Sequence, residues 1–247
     1  MVLSPHRSLT AVELARGATA IQNRLDGLGI KAIVGLDRTG ALEIRARRSD
    51  RPEIERVLAV AGHLTFRQVI AFEDLHTAGL VPASPFRADE KLSDAIRYFV
   101  GAGCPVDSES DDGGLGYLVS CDPTGSTKYL LGPPSFAIED AASVDAIEQP
   151  DSWHVVLQLT QSGAARWDSL MASALRAGSS TPGSCSRVGC AQVAADIDGS
   201  TYSPLIVMSS ALHSKLTYFS GAFDEPTAHL MATAVEFPLP CSFTVRR

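Results

Sequence analysis

Apolar side chains recur at helical spacing near the start of the chain. Residues 11–28 place them on one face of a predicted helix, which Ser8 or Thr10 caps and which Gly27 and Gly29 end. The apolar face of this helix consists of Val12, Ala15, Ala18, Ile21, Leu25 and Leu28.

The segment after this helix alternates between strand and helix patterns. Residues 30–36 and 41–46 predict a hairpin, Pro52 begins a second helix, and residues 63–70 predict a return strand. The order helix, strand, strand, helix, strand is that of a ferredoxin-like unit without its first strand. We expect residues 241–245 to supply the missing strand, so that both ends of the chain lie in one base.

Residues 76–127 lose this periodicity and are rich in Pro, Gly, Ser and Asp, which predicts a connector. A short helical pattern covers residues 91–100. Residues 107–116 form an acidic stretch that we interpret as a solvated loop. This stretch lacks the alternating order of ligands in a calcium loop, so it predicts no metal site.

The C-terminal half, from Lys128 onward, combines helices with alternating strand patterns. Residues 130–134 indicate a turn, and residues 153–160 alternate as a central strand does. Asp198-Gly199 predicts a type I′ hairpin turn, because both positions of that turn need a positive φ. The other predicted elements are a helix over residues 162–175, strands over residues 193–197, 202–208, 215–219 and 241–245, and a helix between Asp224 and Pro238.

Three blocks of sequence carry a more specific pattern, and they follow one another along most of the chain. They are residues 21–29 with 64–69, residues 128–134 with 153–159, and the run Asp198-Gly199, Ser203-Pro204, Ser220-Gly221-Ala222-Phe223 and Leu239-Pro240. Together they resemble the first extracytoplasmic (P1) domain of SecD, the accessory subunit of the bacterial protein-export channel.

This resemblance implies an α+β fold with three parts. Residues 1–75 would form a ferredoxin-like base, completed by residues 238–247. Residues 76–127 would form the connector, and residues 128–247 an inserted α+β head subdomain with an antiparallel sheet.

The charge and the hydropathy of the chain limit the classes of partner that it can bind. The chain of 247 residues carries 21 Lys and Arg against 28 Asp and Glu, which gives a net charge of −7. This balance argues against binding to nucleic acid or an anionic membrane, since both need basic patches. We interpret the cluster Arg45, Arg47, Arg48 and Arg51 as protection of a strand edge, in preference to the alternative of a phosphate site. No apolar run is long enough for membrane insertion.

Five cysteines bear on the location of the protein. Cys104 and Cys121 flank the acidic loop, Cys185 and Cys190 lie close together, and Cys241 is left over as a buried thiol. Two disulfides would require an oxidising compartment, which agrees with the extracytoplasmic location of SecD P1. The first residues lack the apolar core of a signal peptide, which favours the cytoplasm and reduced thiols. Both locations stay open.

Motifs for catalysis are absent from the sequence. It has no nucleophile elbow, phosphate loop, zinc-protease motif or dinucleotide fingerprint, so we predict no catalytic residue, metal or cofactor. An enzyme is the third interpretation, with a candidate site near His213, His229 and Asp196. Asp196 and Asp198 are expected to share one face of a strand.

The function implied by the resemblance is that of a non-catalytic module that holds an extended or unfolded polypeptide client. The candidate client-binding residues, expected to be exposed, are Tyr202, Met208, Tyr218 and Phe219. The chain departs from the family at Ser209–Ser214, where the family has glycines, and at Glu236–Pro240. These departures favour a second interpretation, a repurposed scaffold that binds one dedicated partner such as a precursor peptide or a biosynthetic enzyme.

Overall fold

The structure is a computed structural model that describes residues 1–76, 80–82, 90–104, 116–150, 152–177, 191–206 and 214–246. Helices and strands alternate through these residues. The helices are α1 (Ala11–Gly27), α2 (Arg51–Ala59), α3 (Glu90–Gly101), α4 (Gln161–Ala177) and α5 (Glu225–Glu236). The strands are β1 (Leu3–Pro5), β2 (Ala32–Leu36), β3 (Leu42–Ala46), β4 (Leu64–Asp74), β5 (Leu80–Pro82), β6 (Leu118–Cys121), β7 (Thr127–Ala137), β8 (Ala141–Glu148), β9 (Trp153–Leu159), β10 (Gln192–Ile197), β11 (Ser200–Ile206), β12 (Leu216–Phe223) and β13 (Phe243–Val245).

The chain forms two compact units, each assembled from separate segments. Unit 1 contains Met1–His63, Val144–Val155 and Phe223–Arg247. Unit 2 contains Leu64–Ser143 and Val156–Ala222.

The strands of unit 1 bring the two ends of the chain together. β13 pairs antiparallel with β1, with Leu3 opposite Val245. β1 lies beside β3, because the main-chain N–H of Ile44 donates to the carbonyl oxygen of Met1 at 2.8 Å. The neighbour of the C-terminal strand is therefore β1, a strand that the sequence analysis did not predict. It has only three residues, Leu-Ser-Pro, so it is too short to show an alternating pattern.

β2 pairs antiparallel with β3, and a side chain from α1 covers its other edge. The side-chain amide of Gln22 accepts from the N–H of Val34 at 2.9 Å and donates to the carbonyl of Ala32 at 3.2 Å. These bonds imitate those of a neighbouring strand. They protect an uncharged edge that would otherwise be open to pairing with another chain.

Unit 2 is built on a closed barrel of five strands. β10, β11, β6, β7 and β4 follow one another in the sheet, and β10 also pairs with β4, which closes the ring. The described pairs are antiparallel except β11 with β6, which is parallel. Closure leaves these five strands without a free edge.

Alternate residues of the barrel strands point inward and outward, as the pleat requires. Leu118 joins the inner cluster with Val69, Leu131 and Ala194, whereas Val119 packs on the outer face against Phe99 of α3. On the outer face, the rings of Phe66 and Phe136 pack against Trp167 of α4, with centroids 5.1 and 5.7 Å from the indole. Helices thus cover the barrel where its outer side chains are apolar.

A smaller sheet contains β12, β9 and β8 in that order, so β9 is the central strand, as its alternation predicted. The predicted turn over residues 130–134 was wrong, because β7 runs through it. Pro134 lies opposite Arg67, where the register between β7 and β4 shifts. A bulge tolerates a residue that has no N–H to donate, which explains how prolines fit in this strand.

The predicted α+β class with antiparallel sheets is confirmed. Within the residues that the structure describes, no helix combines the length and the apolar character needed to cross a membrane.

Candidate functional site

The four predicted client-binding residues have different environments. Phe219 is 0% exposed, so the expectation that its ring is exposed was wrong. The ring of Tyr202 on β11 is half-buried and packs against Phe219, with centroids 6.0 Å apart. Tyr218 is 42% exposed. Met208 lies outside the described residues.

β12 exposes Tyr218 together with Leu216, a residue that was not predicted. We call this pair the β12 apolar face. Leu216 is 56% exposed, and the alternate residues Thr217 and Phe219 are buried. The strand LTYFSGAF contains no charged residue. Exposed apolar side chains on an uncharged strand are typical of surfaces that bind another polypeptide.

A polar cluster lies inside the barrel, and we call it the barrel triad: Asp196, Ser120 and Thr201, which are at most 4% exposed. Ser120 on β6 has its hydroxyl oxygen 2.9 Å from Oδ2 of Asp196 on β10 and 2.7 Å from the carbonyl oxygen of Gly199. The hydroxyl of Thr201 on β11 donates to Ser120 at 2.8 Å. The N–H of Gly199 donates to Oδ1 of Asp196 at 3.2 Å.

Burial raises the pKa of Asp196 to about 6, even though the hydrogen bond from Ser120 and the charge of Arg67 favour the ionised form. Arg67 donates to Gly116 and Gly132 carbonyls and to the hydroxyl of Thr65. The cluster therefore contains a carboxyl group that keeps its proton to a higher pH than an exposed aspartate does.

The predicted face shared by Asp196 and Asp198 was wrong. Asp198 lies in the turn after β10, with φ 52°, and Gly199 follows with φ 79°. These positive values confirm the predicted Asp198-Gly199 turn. The sequence analysis named Asp196 but missed Ser120 and Thr201, because neither has a distinctive sequence pattern.

The structure describes two of the three residues named for the enzymatic interpretation, and these two belong to different units. His229 is exposed on α5 in unit 1, where its ring packs against Trp153 with centroids 5.4 Å apart. Asp196 belongs to unit 2, and His213 lies outside the described residues. Among the residues described, no group of three His, Cys, Asp or Glu is placed to hold a metal ion.

Cys104 and Cys121 are bonded to each other in the structure. Cys185 and Cys190 lie outside the described residues, and Cys241 is a half-buried free thiol. The bond ties the segment after α3 to the end of β6. Nearby, the ammonium group of Lys128 is held by Glu73 at 2.8 Å, by the carbonyl of Ala102 at 2.9 Å and by the ring of Phe99.

A groove of about 340 Å³ lies in unit 1 between β13 and α2. Its polar lining includes Arg51, whose guanidinium is paired with Glu55 at 2.8 Å, and His6, which shares a hydrogen bond with Ser242 at 3.0 Å. The groove is within the size range of small-ligand sites. Its charged groups are already paired within the chain.

We expect Asp196→Asn to stabilise the protein by about 2–3 kcal/mol at pH 8 and to have little effect near pH 4. The folded pKa of about 6 lies above the ordinary 3.8, so the folded state binds the proton more tightly. Wild-type stability therefore falls as pH rises between these two values, and an asparagine imitates the protonated acid. Urea unfolding at both pH values measures the difference.

The exposed Asp94 on α3, whose carboxylate pairs with Arg97, provides a control. Asp94→Asn should change stability by less than about 0.5 kcal/mol at either pH, since exposed ion pairs contribute little. Equal effects of Asp196→Asn at pH 4 and pH 8 would contradict the prediction.

No family model matches the chain, and no curated protein matches it. Its fold is similar to that of a chain in the crystal structure of SecDF in a super-membrane-facing form, with a TM-score of 0.61 and 17% identity over all of this chain and 29% of that chain. It is also similar to a structure described as a membrane component SecDF that enhances protein export, with a TM-score of 0.59 and 16% identity over 100% of this chain and 99% of that one. The resemblance to SecD predicted from the sequence is therefore confirmed as a likeness of fold. The chain spans less than a third of the first SecDF chain.

Proposed function

We propose that this chain is a non-catalytic polypeptide-binding module that acts in protein export. The observation that carries this proposal is the likeness to SecDF over the whole chain, because one of the matched structures is described as enhancing protein export. We interpret unit 1 as a ferredoxin-like base and unit 2 as the head that binds the client. In unit 1 the strand order β2, β3, β1, β13 supports this interpretation.

The β12 apolar face is the client-binding surface in this proposal. Leu216 and Tyr218 project from the same face of one strand, and both are substantially exposed. An extended client places every second side chain on one face, at a spacing that matches two such residues. Tyrosine offers a large apolar contact area at a small cost in side-chain entropy, which suits a surface that binds many sequences.

We expect the double change Leu216→Ser and Tyr218→Ser to weaken client binding about tenfold, which corresponds to about 1.4 kcal/mol. The probe is a permanently unfolded model protein, reduced and carboxymethylated. Fluorescence anisotropy gives its dissociation constant with the wild type and with the variant.

The matched control is Val12→Ser with Ile33→Ser, which removes two apolar side chains that are 61% and 70% exposed in unit 1. This control should bind the probe as the wild type does. Equal losses in both double variants, or a wild type that does not bind the probe, would overturn the proposal. Cross-links from the client to the groove between β13 and α2 would also overturn the assignment to β12.

A further inference from the structure

The barrel of unit 2 has one junction that differs from the others, between β6 and β11. This pair is parallel, and its described register consists of Ser200 opposite Cys121. The neighbouring pairs in the ring are antiparallel and extend over several residues. The barrel triad bridges this junction, since Ser120 lies on β6, Thr201 on β11 and Asp196 on the adjacent β10.

The hydrogen atoms available in this cluster decide its protonation state. A hydroxyl group has one hydrogen, yet Oγ of Ser120 lies within hydrogen-bond distance of two acceptors, Asp196 and the Gly199 carbonyl. The hydroxyl of Thr201 already donates to Ser120, so it cannot supply another hydrogen there.

Protonation of Asp196 satisfies every contact. The carboxylic acid then donates to Ser120, which accepts this bond and the bond from Thr201 with its two lone pairs. The hydrogen of Ser120 is left for the carbonyl of Gly199. When Asp196 is ionised, Ser120 must donate to it, and the Gly199 carbonyl loses this donor.

Charged and titratable groups surround Asp196 from several strands. Arg67 on β4 favours the ionised form, and Asp198 in the following turn favours the neutral form. Tyr202 on β11 contributes a phenol group, and Tyr129 on β7 lies opposite the uncharged Ser120 of β6. An ionised Asp196 would also lose its hydration in this buried position, which adds to the cost of charge there.

We infer that the barrel triad is a proton-binding site that holds β6 against β11. With the proton bound, side-chain hydrogen bonds connect β6 to β10, to β11 and to the turn between β10 and β11. Loss of the proton removes the bond from Ser120 to Gly199 and leaves a charge in the barrel interior. The junction then opens more often, because its described main-chain ladder is short.

Hydrogen exchange of the amides in β6 and β11 tests this inference on the full chain without a client. Its outcome is therefore independent of whether the chain binds polypeptides. Wild type and Asp196→Asn are compared at the same pH, so that the intrinsic exchange rates cancel. Between pH 5 and pH 7.5, the protection of these amides in the wild type relative to the variant should fall about tenfold more than that of amides that exchange through global unfolding.

Amides of β7 facing β4 provide an internal reference, because that ladder is long and antiparallel. Their protection ratio should change less than that of β6 and β11. A ratio that is constant with pH at the β6–β11 junction would overturn the inference, as would an equal change in all strands of the barrel.

Thr201→Val gives a second, independent test if the asparagine variant does not fold. It removes the bond to Ser120 but keeps the carboxyl group and the side-chain shape. We expect its β6 and β11 amides to exchange faster than those of the wild type at pH 5. At pH 7.5, where the wild type itself has lost the proton, the ratio of the two exchange rates should be smaller. An unchanged exchange rate at pH 5 would contradict a role for the triad in closing the barrel.

Discussion

Replacing Arg24 by methionine is expected to reduce the free energy of unfolding by about 3–5 kcal/mol. Arg24 lies on α1 with 0% exposure. Its guanidinium donates to the carbonyls of Val57 and Ala234, each at 2.9 Å, and to that of Phe237 at 2.7 Å. Two more bonds reach the carbonyls of Val60 and Ala61.

These five acceptors belong to the ends of α2 and α5 and to the residues that follow them. The last carbonyls of a helix have no partner within the helix, and water cannot reach them in a buried position. Each acceptor left without any donor costs about 1–3 kcal/mol, whereas the carbonyl of Ala61 keeps the N–H of Leu239. Methionine recovers some packing and relieves a buried charge, so the net loss is smaller than the sum over the carbonyls.

Urea unfolding of the variant and of Arg16→Met measures this effect. Arg16 is an exposed arginine on the same helix, so its replacement should change stability by less than about 0.5 kcal/mol. Arg24→Lys should lose nearly as much as Arg24→Met, because an ammonium group cannot reach acceptors spread around a planar guanidinium. Similar stabilities of Arg24→Met and Arg16→Met would contradict the assigned role.

Helix α1, which carries Arg24, shows which features of a helix the periodicity of the sequence can predict. Its spacing and cap predicted the bounds of α1 well, and Thr10 does accept from the N–H of Glu13. The predicted apolar face was partly wrong, since Val12 is 61% exposed while Arg24 is fully buried. The acceptors of Arg24 on α5 lie more than 200 residues away in sequence, so no local pattern could indicate them.

In the candidate functional site, too, local sequence patterns predict local features but not contacts between distant residues. The Asp198-Gly199 turn was predictable, because backbone geometry at two adjacent residues determines it. The barrel triad was not, because Ser120 and Asp196 are 76 residues apart and meet only when the ring of strands closes. For β12, the strand itself was predicted, but the face that it buries was not. A shift by one residue exchanges the exposed Tyr218 with the buried Phe219.

The second large effect is expected for Gly62→Ala, which should lower the melting temperature by about 10 °C or more. Gly62 has φ +86°, and an added Cβ would lie 2.1 Å from the carbonyl oxygen of Ala234 and 2.9 Å from Nη2 of Arg24. The backbone conformation is unfavourable for any side chain, and the space for a methyl group is absent. Relief would require α5 to move away from residue 62, which would also break the bond between Arg24 and Ala234.

The variant Gly40→Ala separates the cost of the backbone conformation from the cost of the steric clash. Gly40 has almost the same conformation, with φ +82°, but an added Cβ would meet nothing within 4 Å. Its replacement should therefore show the conformational cost alone, about 1 kcal/mol or about 2–4 °C in the melting temperature. The difference between the two variants measures the steric contribution at Gly62. If both variants melted at the same temperature, α5 would be free to shift, and the close approach of Ala234 would not be needed to hold Arg24 in place.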